Sequence, residues 1–165
     1  MPEKFLITGA TGKTAELAIE HLVAQRADVR ALVRDLGKAA PLKEKGVELT
    51  QGDFHDSDSL VRALDGVTSV FLVTPPDEHT AATVDRFLAA VTTSGKHPRI
   101  VRLSAIKASE GGPTDNTRQH GRAEVAGHGE RRGNGAVHHA ATQSAPSVAR
   151  ASKDYADFRL HRSQT

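Results

Sequence analysis

The chain has no cysteine, which removes disulfides, zinc–thiolate sites and a cysteine nucleophile together. No run approaches 18 consecutive apolar residues, so no segment reads as a membrane span. No basic-then-apolar leader precedes the first apolar strand, which begins almost at once. These absences predict a cytoplasmic protein with no membrane partner. Charge of one sign is also lacking: a net +2 is too small to argue for nucleic acid. The pI of about 9.1 reflects only the slight excess of 22 basic over 20 acidic residues.

What is present is unevenly spread. The 165 residues suffice for one domain with a sizeable core. Residues 1–120 hold 32 of the large apolar residues Ile, Leu, Val, Met, Phe and Tyr, whereas residues 121–165 hold only 6. The later stretch carries 7 basic and 4 acidic residues. The expected division is a dinucleotide-binding domain over 1–125 and an irregular, disordered basic tail over 126–165.

The first part alternates between two periods. Apolar strands are expected at Lys4–Thr8, Val29–Arg34, Val47–Thr50, Val67–Val73 and Arg99–Ser104. Between them, helical spacing places Ala15, Ala18, Ile19, Leu22 and Val23 on one face of a helix over Gly12–Gln25. A short helix over Leu36–Lys45 stops at Gly46. Asp56 or Ser57 caps a third, with Leu60, Val61 and Leu64 inward. Val84, Phe87, Leu88 and Val91 mark a fourth over His79–Ser94, closed by Gly95. Strands alternating with helices predict an α/β, Rossmann-like doubly wound parallel sheet of order 3-2-1-4-5, with ligands at the carboxyl ends of the strands.

The candidate site lies at those ends. The first strand runs into Gly9-Ala10-Thr11-Gly12-Lys13-Thr14 and then a helix. Gly9 permits a tight turn, Gly12 removes the side chain that would obstruct a phosphate, and Ala15 lets helix and strand pack closely. Unpaired amides at the helix start then face a pyrophosphate. The spacing is Gly-x-x-Gly-x-x-Ala. Lys13 does not make a P-loop, which needs Gly-x-x-x-x-Gly-Lys-Ser/Thr, and Gly9 stands at the wrong distance. Arg34 ends the second strand, 22 residues after Gly12, where an arginine accommodates a 2′-phosphate. It favours NADPH, with Lys38 in support, while the adjacent Asp35 keeps NADH open. Asp53 and Phe54 follow the third strand, placed to meet an adenine amino group and flank its ring. Thr74 and Pro75, with Pro76, form a stiff wall after the fourth strand, and Ser104 falls on the nicotinamide side. No metal is expected, because the adjacent His138 and His139 have no carboxylate at ligand spacing.

These residues carry a resemblance. Leu-Ile-Thr-Gly-Ala-Thr-Gly-Lys-Thr, Ala-Leu-Val-Arg at 31–34, Gly-Asp-Phe at 52–54, Val-Arg-Leu-Ser at 101–104 and the stretch Asp115–Glu124 are together similar to the NmrA-like, atypical short-chain dehydrogenase/reductase family. Within it they most resemble the bacterial NAD(P)H:quinone oxidoreductase-type members. The resemblance covers about residues 3–125 and implies an NADP-binding fold. It implies either NADPH-dependent reduction of a small quinone-like substrate or a non-catalytic NADP(H) redox sensor acting through a protein partner. Ordinary short-chain dehydrogenases use a tyrosine general acid with a lysine four residues on. Here the only tyrosine is Tyr155, followed at that spacing by Arg159, so no catalytic residue is assigned.

After Glu124 a family member would continue through a sixth strand of Tyr-Thr-Ile-Leu-Arg-Pro type and well over a hundred further residues. This chain instead shows glycine-rich sequence without apolar period. The codons of His138-His139-Ala140-Ala141, read one base later, reproduce the character of Thr-Ile-Leu-Arg-Pro. The expectation is a frame change near 123–130, a truncated remnant of the family's C-terminal half, and a fifth strand left as an exposed apolar edge. The residues specify neither the substrate nor an oligomeric state.

Overall fold

The fold follows from apolar strands too continuous to face water on either side. A computed structural model describes residues 3–105, 108–129 and 137–142. In chain order these form β1 (Lys4–Ile7), α1 (Lys13–Ala24), β2 (Asp28–Val33), α2 (Ala40–Glu44), β3 (Glu48–Gln51) and α3 (Ser57–Ala63). There follow β4 (Ser69–Leu72), α4 (Thr80–Ser94), β5 (Arg99–Ala105), α5 (Asp115–Gly129) and β6 (Val137–Thr142). Every strand pair is parallel, and the sheet order is β3-β2-β1-β4-β5-β6. The expected 3-2-1-4-5 arrangement is therefore present, with one strand added. Among the described residues no helix is long and apolar enough to cross a membrane.

Alternate residues of the central strands feed two cores. Phe5 and Ile7 of β1, with Phe71 of β4, pack with Ala15, Ile19 and Leu22 of α1. Leu6, Val70 and Leu72 point the other way, into Leu60 of α3, Leu64 at its end, and Val84, Phe87 and Val91 of α4. Burial on both faces is what a parallel sheet between helix layers demands. At the amino ends of the strands, Arg30 donates to Glu48 at 2.9 Å and to the carbonyls of Ala63 and Asp65, closing the end of α3.

Two expectations need correction. Helix α2 spans Ala40–Glu44 rather than beginning at Leu36. The carboxylate of Asp35 accepts from the amides of Gly37 and Lys38, which holds the segment in a turn, and Pro41 then starts the helix from its first turn. The second correction is larger. The edge of β5, expected to be exposed, pairs with a sixth strand, β6, aligned from Ile100↔Val137 to Ala105↔Thr142; from residue 126 on, the described residues hold the end of α5 and this strand. The edge of β5 is therefore paired, not exposed. Val-His-His-Ala-Ala-Thr has no apolar period in sequence, and the open row of backbone donors and acceptors on β5 is what it pairs with. Residues 130–136 and 143–165, including Tyr155 and Arg159, lie outside the described residues.

Candidate functional site

Where β1 ends, the Thr8 amide still donates to the Phe71 carbonyl at 3.1 Å, and its side chain adds to that pairing. Its hydroxyl donates to the Val73 carbonyl and accepts from the Val73 amide, both at 2.8 Å. The chain then turns sharply at Gly9, whose φ of +60° is left-handed and favours glycine. A Cβ on Gly9 would also stand 3.1 Å from Val73. Gly12 is the residue before α1 and has no side chain to cap it, so the amides of the first turn are left for another acceptor.

Beside this turn lies a cleft of about 680 Å³ at the carboxyl ends of β1 to β4. Its walls bring together Gly9, Ala10, Thr11 and Gly12 with Arg34 and Lys38, with Asp53 and Phe54, and with Thr74 and Pro75. Ten of the thirteen cofactor residues expected from sequence thus share one cavity. Lys13 and Thr14 lie in the first turn of α1 and are not among the lining residues. The sequence reading did not name His55, Asp77, His79 and Thr83, which also line the cleft. The Asp-x-His spacing at 53–55 and 77–79 was the available signal: in both, the aspartate carboxylate accepts from the histidine amide.

The cleft has the character of a site for an anionic, aromatic ligand. Among the described residues neither Arg34 nor Lys38 has an acidic partner. The Phe54 ring is braced edge-on by Phe87, with centroids 6.3 Å apart. Thr74 is buried, and its hydroxyl oxygen is the one buried side-chain polar atom among the described residues without a hydrogen-bond partner. Such a group costs about 1–3 kcal/mol while unpaired, so a ligand that reaches it gains specificity. With the unobstructed glycine turn, these features fit a dinucleotide.

Ser104 is not among the lining residues of this cleft. It is buried on β5, accepts from Arg102 Nη2 at 3.2 Å and donates to Glu124 of α5. Arg102, fully buried, also donates to His120 Nδ1 at 3.0 Å and to the His120 carbonyl at 3.1 Å, and pairs with Glu124 at 3.6 Å. Since a guanidinium can only donate, His120 must carry its proton on Nε2. Burial, then the Arg102 charge, pushes the His120 pKa down to about 4, against a weaker opposing pull from Glu124. The folded state therefore holds His120 neutral, and the unfolded chain binds the extra proton between about pH 6.5 and 4. Stability should be whole above about pH 6.5 and fall as the pH drops toward 4, by up to about 3 kcal/mol. Urea melts of wild type and His120→Gln at pH 7 and 4.5 check this: the variant should show a flatter profile across that window.

A doubly wound parallel sheet with a glycine-bordered cleft at its carboxyl ends defines a Rossmann-like domain. The chain belongs to the NmrA-like family, whose model matches residues 1–104. It is 39% identical over 75 residues to an NAD(P)H azoreductase of Xenophilus azovorans, covering 44% of this chain and 26% of that protein. Its structure superposes on the triphenylmethane reductase of a Citrobacter species complexed with NADP(H), with a TM-score of 0.66 and 27% identity over 74% of this chain and 44% of that one. The NADPH complex of an NADPH-dependent quinone oxidoreductase of Escherichia coli matches with the same TM-score and coverage at 26% identity. The chain spans less than half the length of each of these relatives.

Proposed function

We propose that residues 1–125 form the cofactor domain of an NADPH-dependent oxidoreductase acting on small quinone-like acceptors. One observation carries the reading: the cleft gathers an unobstructed glycine turn with two cations that have no acidic partner, and a buried hydroxyl that has no hydrogen-bond partner, among the described residues. The relatives named above, two of them complexed with NADP(H) or NADPH, support the same cofactor class. Bound NADPH would supply a hydride. The chain's own residues bind and orient: first-turn amides of α1 hold the pyrophosphate, and Arg34 and Lys38 attract the 2′-phosphate. Asp53 and Phe54 seat the adenine, and Thr74 donates or accepts beside it. No observation favours the non-catalytic sensor.

The test is equilibrium titration of the full chain with NADPH and NADH, followed by NADPH oxidation with a panel of small quinones and azo dyes. NADPH should bind at least about ten-fold more tightly than NADH, the worth of one charge-assisted phosphate contact. Failure of folded protein to bind either nucleotide at millimolar concentration would refute the cofactor assignment. Binding without turnover across the panel would leave the cofactor and remove the acceptor class.

A further inference from the structure

Asp35 stands between the two cations of the cleft, next to Arg34 in sequence and three residues before Lys38, yet pairs with neither. Its Oδ1 instead accepts from the amide of Gly37 at 2.9 Å and that of Lys38 at 3.2 Å. An aspartate commonly closes such a turn on its own backbone. Here the turn has a second effect, because all three side chains line the cleft. The Lys38 backbone is held on one side by the Asp35 oxygen and on the other by Ala39, only 1% exposed in the core against α1. The Arg34 carbonyl is held in turn by the side-chain amide of Gln51, at 3.2 Å. Both cations thus spring from anchored backbone at an exposed rim, where flexible side chains otherwise lose much of their binding energy to ordering.

We propose that Asp35 is a positioning residue: by closing its turn on Gly37 and Lys38 it sets the two cations for a phosphate monoester on the adenosine ribose, and so determines preference for the phosphorylated cofactor. The inference rests on the NADPH reading above. It runs against the simplest electrostatic expectation, in which any carboxylate beside a phosphate site weakens it and either neutral replacement strengthens it.

Asp35→Asn and Asp35→Ala remove the same charge but differ in whether a side-chain oxygen remains to close the turn. Calorimetric titration of wild type and both full-length variants with adenosine 2′,5′-bisphosphate and adenosine 5′-monophosphate separates the cases, with matched thermal melts confirming that both are folded. Asp35→Asn should bind the bisphosphate as well as wild type or better. Asp35→Ala should bind it roughly three- to ten-fold more weakly than Asp35→Asn, the usual worth of one side-chain-to-backbone cap, with the monophosphate unchanged between them. Equal affinities of the two variants for the bisphosphate overturn the inference and leave the cofactor reading standing. A parallel loss for both nucleotides also overturns it, since that is general loosening of the loop. A wild type that does not prefer the bisphosphate removes the NADPH preference and this inference with it.

Discussion

Gly12→Val should leave the domain folded and weaken cofactor binding roughly a hundred-fold. Gly12 has φ −88° and ψ 149°, an extended conformation open to any residue, so its backbone does not require glycine. A Cβ there would meet only the Gly9 carbonyl oxygen, at 3.2 Å, a contact that a small shift relieves. The structural cost is then mainly the poorer preference of valine before a helix, about 1 kcal/mol. The added methyls instead fill the approach to the first amides of α1. Overpacking against a phosphate of about 3 kcal/mol corresponds to roughly a hundred-fold loss of affinity. Gly9→Val is the contrasting case. There the left-handed φ and the contact with Val73 both penalise a side chain, so stability and binding should fall together. Circular dichroism melts paired with NADPH titration distinguish the two. A folded Gly12→Val that binds NADPH like wild type would sink the placement of the pyrophosphate.

The second large effect is expected at Arg102, which is fully buried. Arg102→Met keeps the apolar stem and removes the guanidinium, leaving the His120 carbonyl and ring nitrogen, the Ser104 hydroxyl and the Glu124 carboxylate without their common donor. Breaking a buried pair from one side costs about 3–5 kcal/mol. For a domain of this size that corresponds to a fall of roughly 10 °C or more in Tm. Methionine is a demanding choice, because it fills the volume and isolates the polar loss. A Tm within about 2 °C of wild type would show that β5 and α5 are joined by apolar packing alone.

These two residues show what sequence reveals and what it hides. The turn at Gly9–Gly12 was legible because its meaning is local: an apolar strand, two glycines and a helical period within a few residues. Arg34, Lys38, Asp53, Phe54, Thr74 and Pro75 were legible for a related reason, since strand ends in this topology converge on one edge of the sheet. Arg102 was not. It sits in Val-Arg-Leu-Ser as one residue of a strand, and its partners on α5 come from positions 18 and 22 residues later. The available clue was His120 and Glu124 four apart on α5, one above the other on a helix face. The expectation for Ser104 missed the same cluster, which turns its hydroxyl toward α5. Strand β6 was hidden for the opposite reason. Its residues carry no apolar period, and its partner is the main chain of β5, which no local window displays.

The pair of hydrogen bonds made by the Thr8 hydroxyl has a consequence for how ligand contacts are shared. The glycine turn leaves β1 one residue after this rivet, and the Thr74–Pro75 segment leaves β4 one residue after its other end. Two segments 65 positions apart in sequence therefore behave as a single jaw whose halves cannot drift independently. Any molecule that settles against one half finds the other already in place.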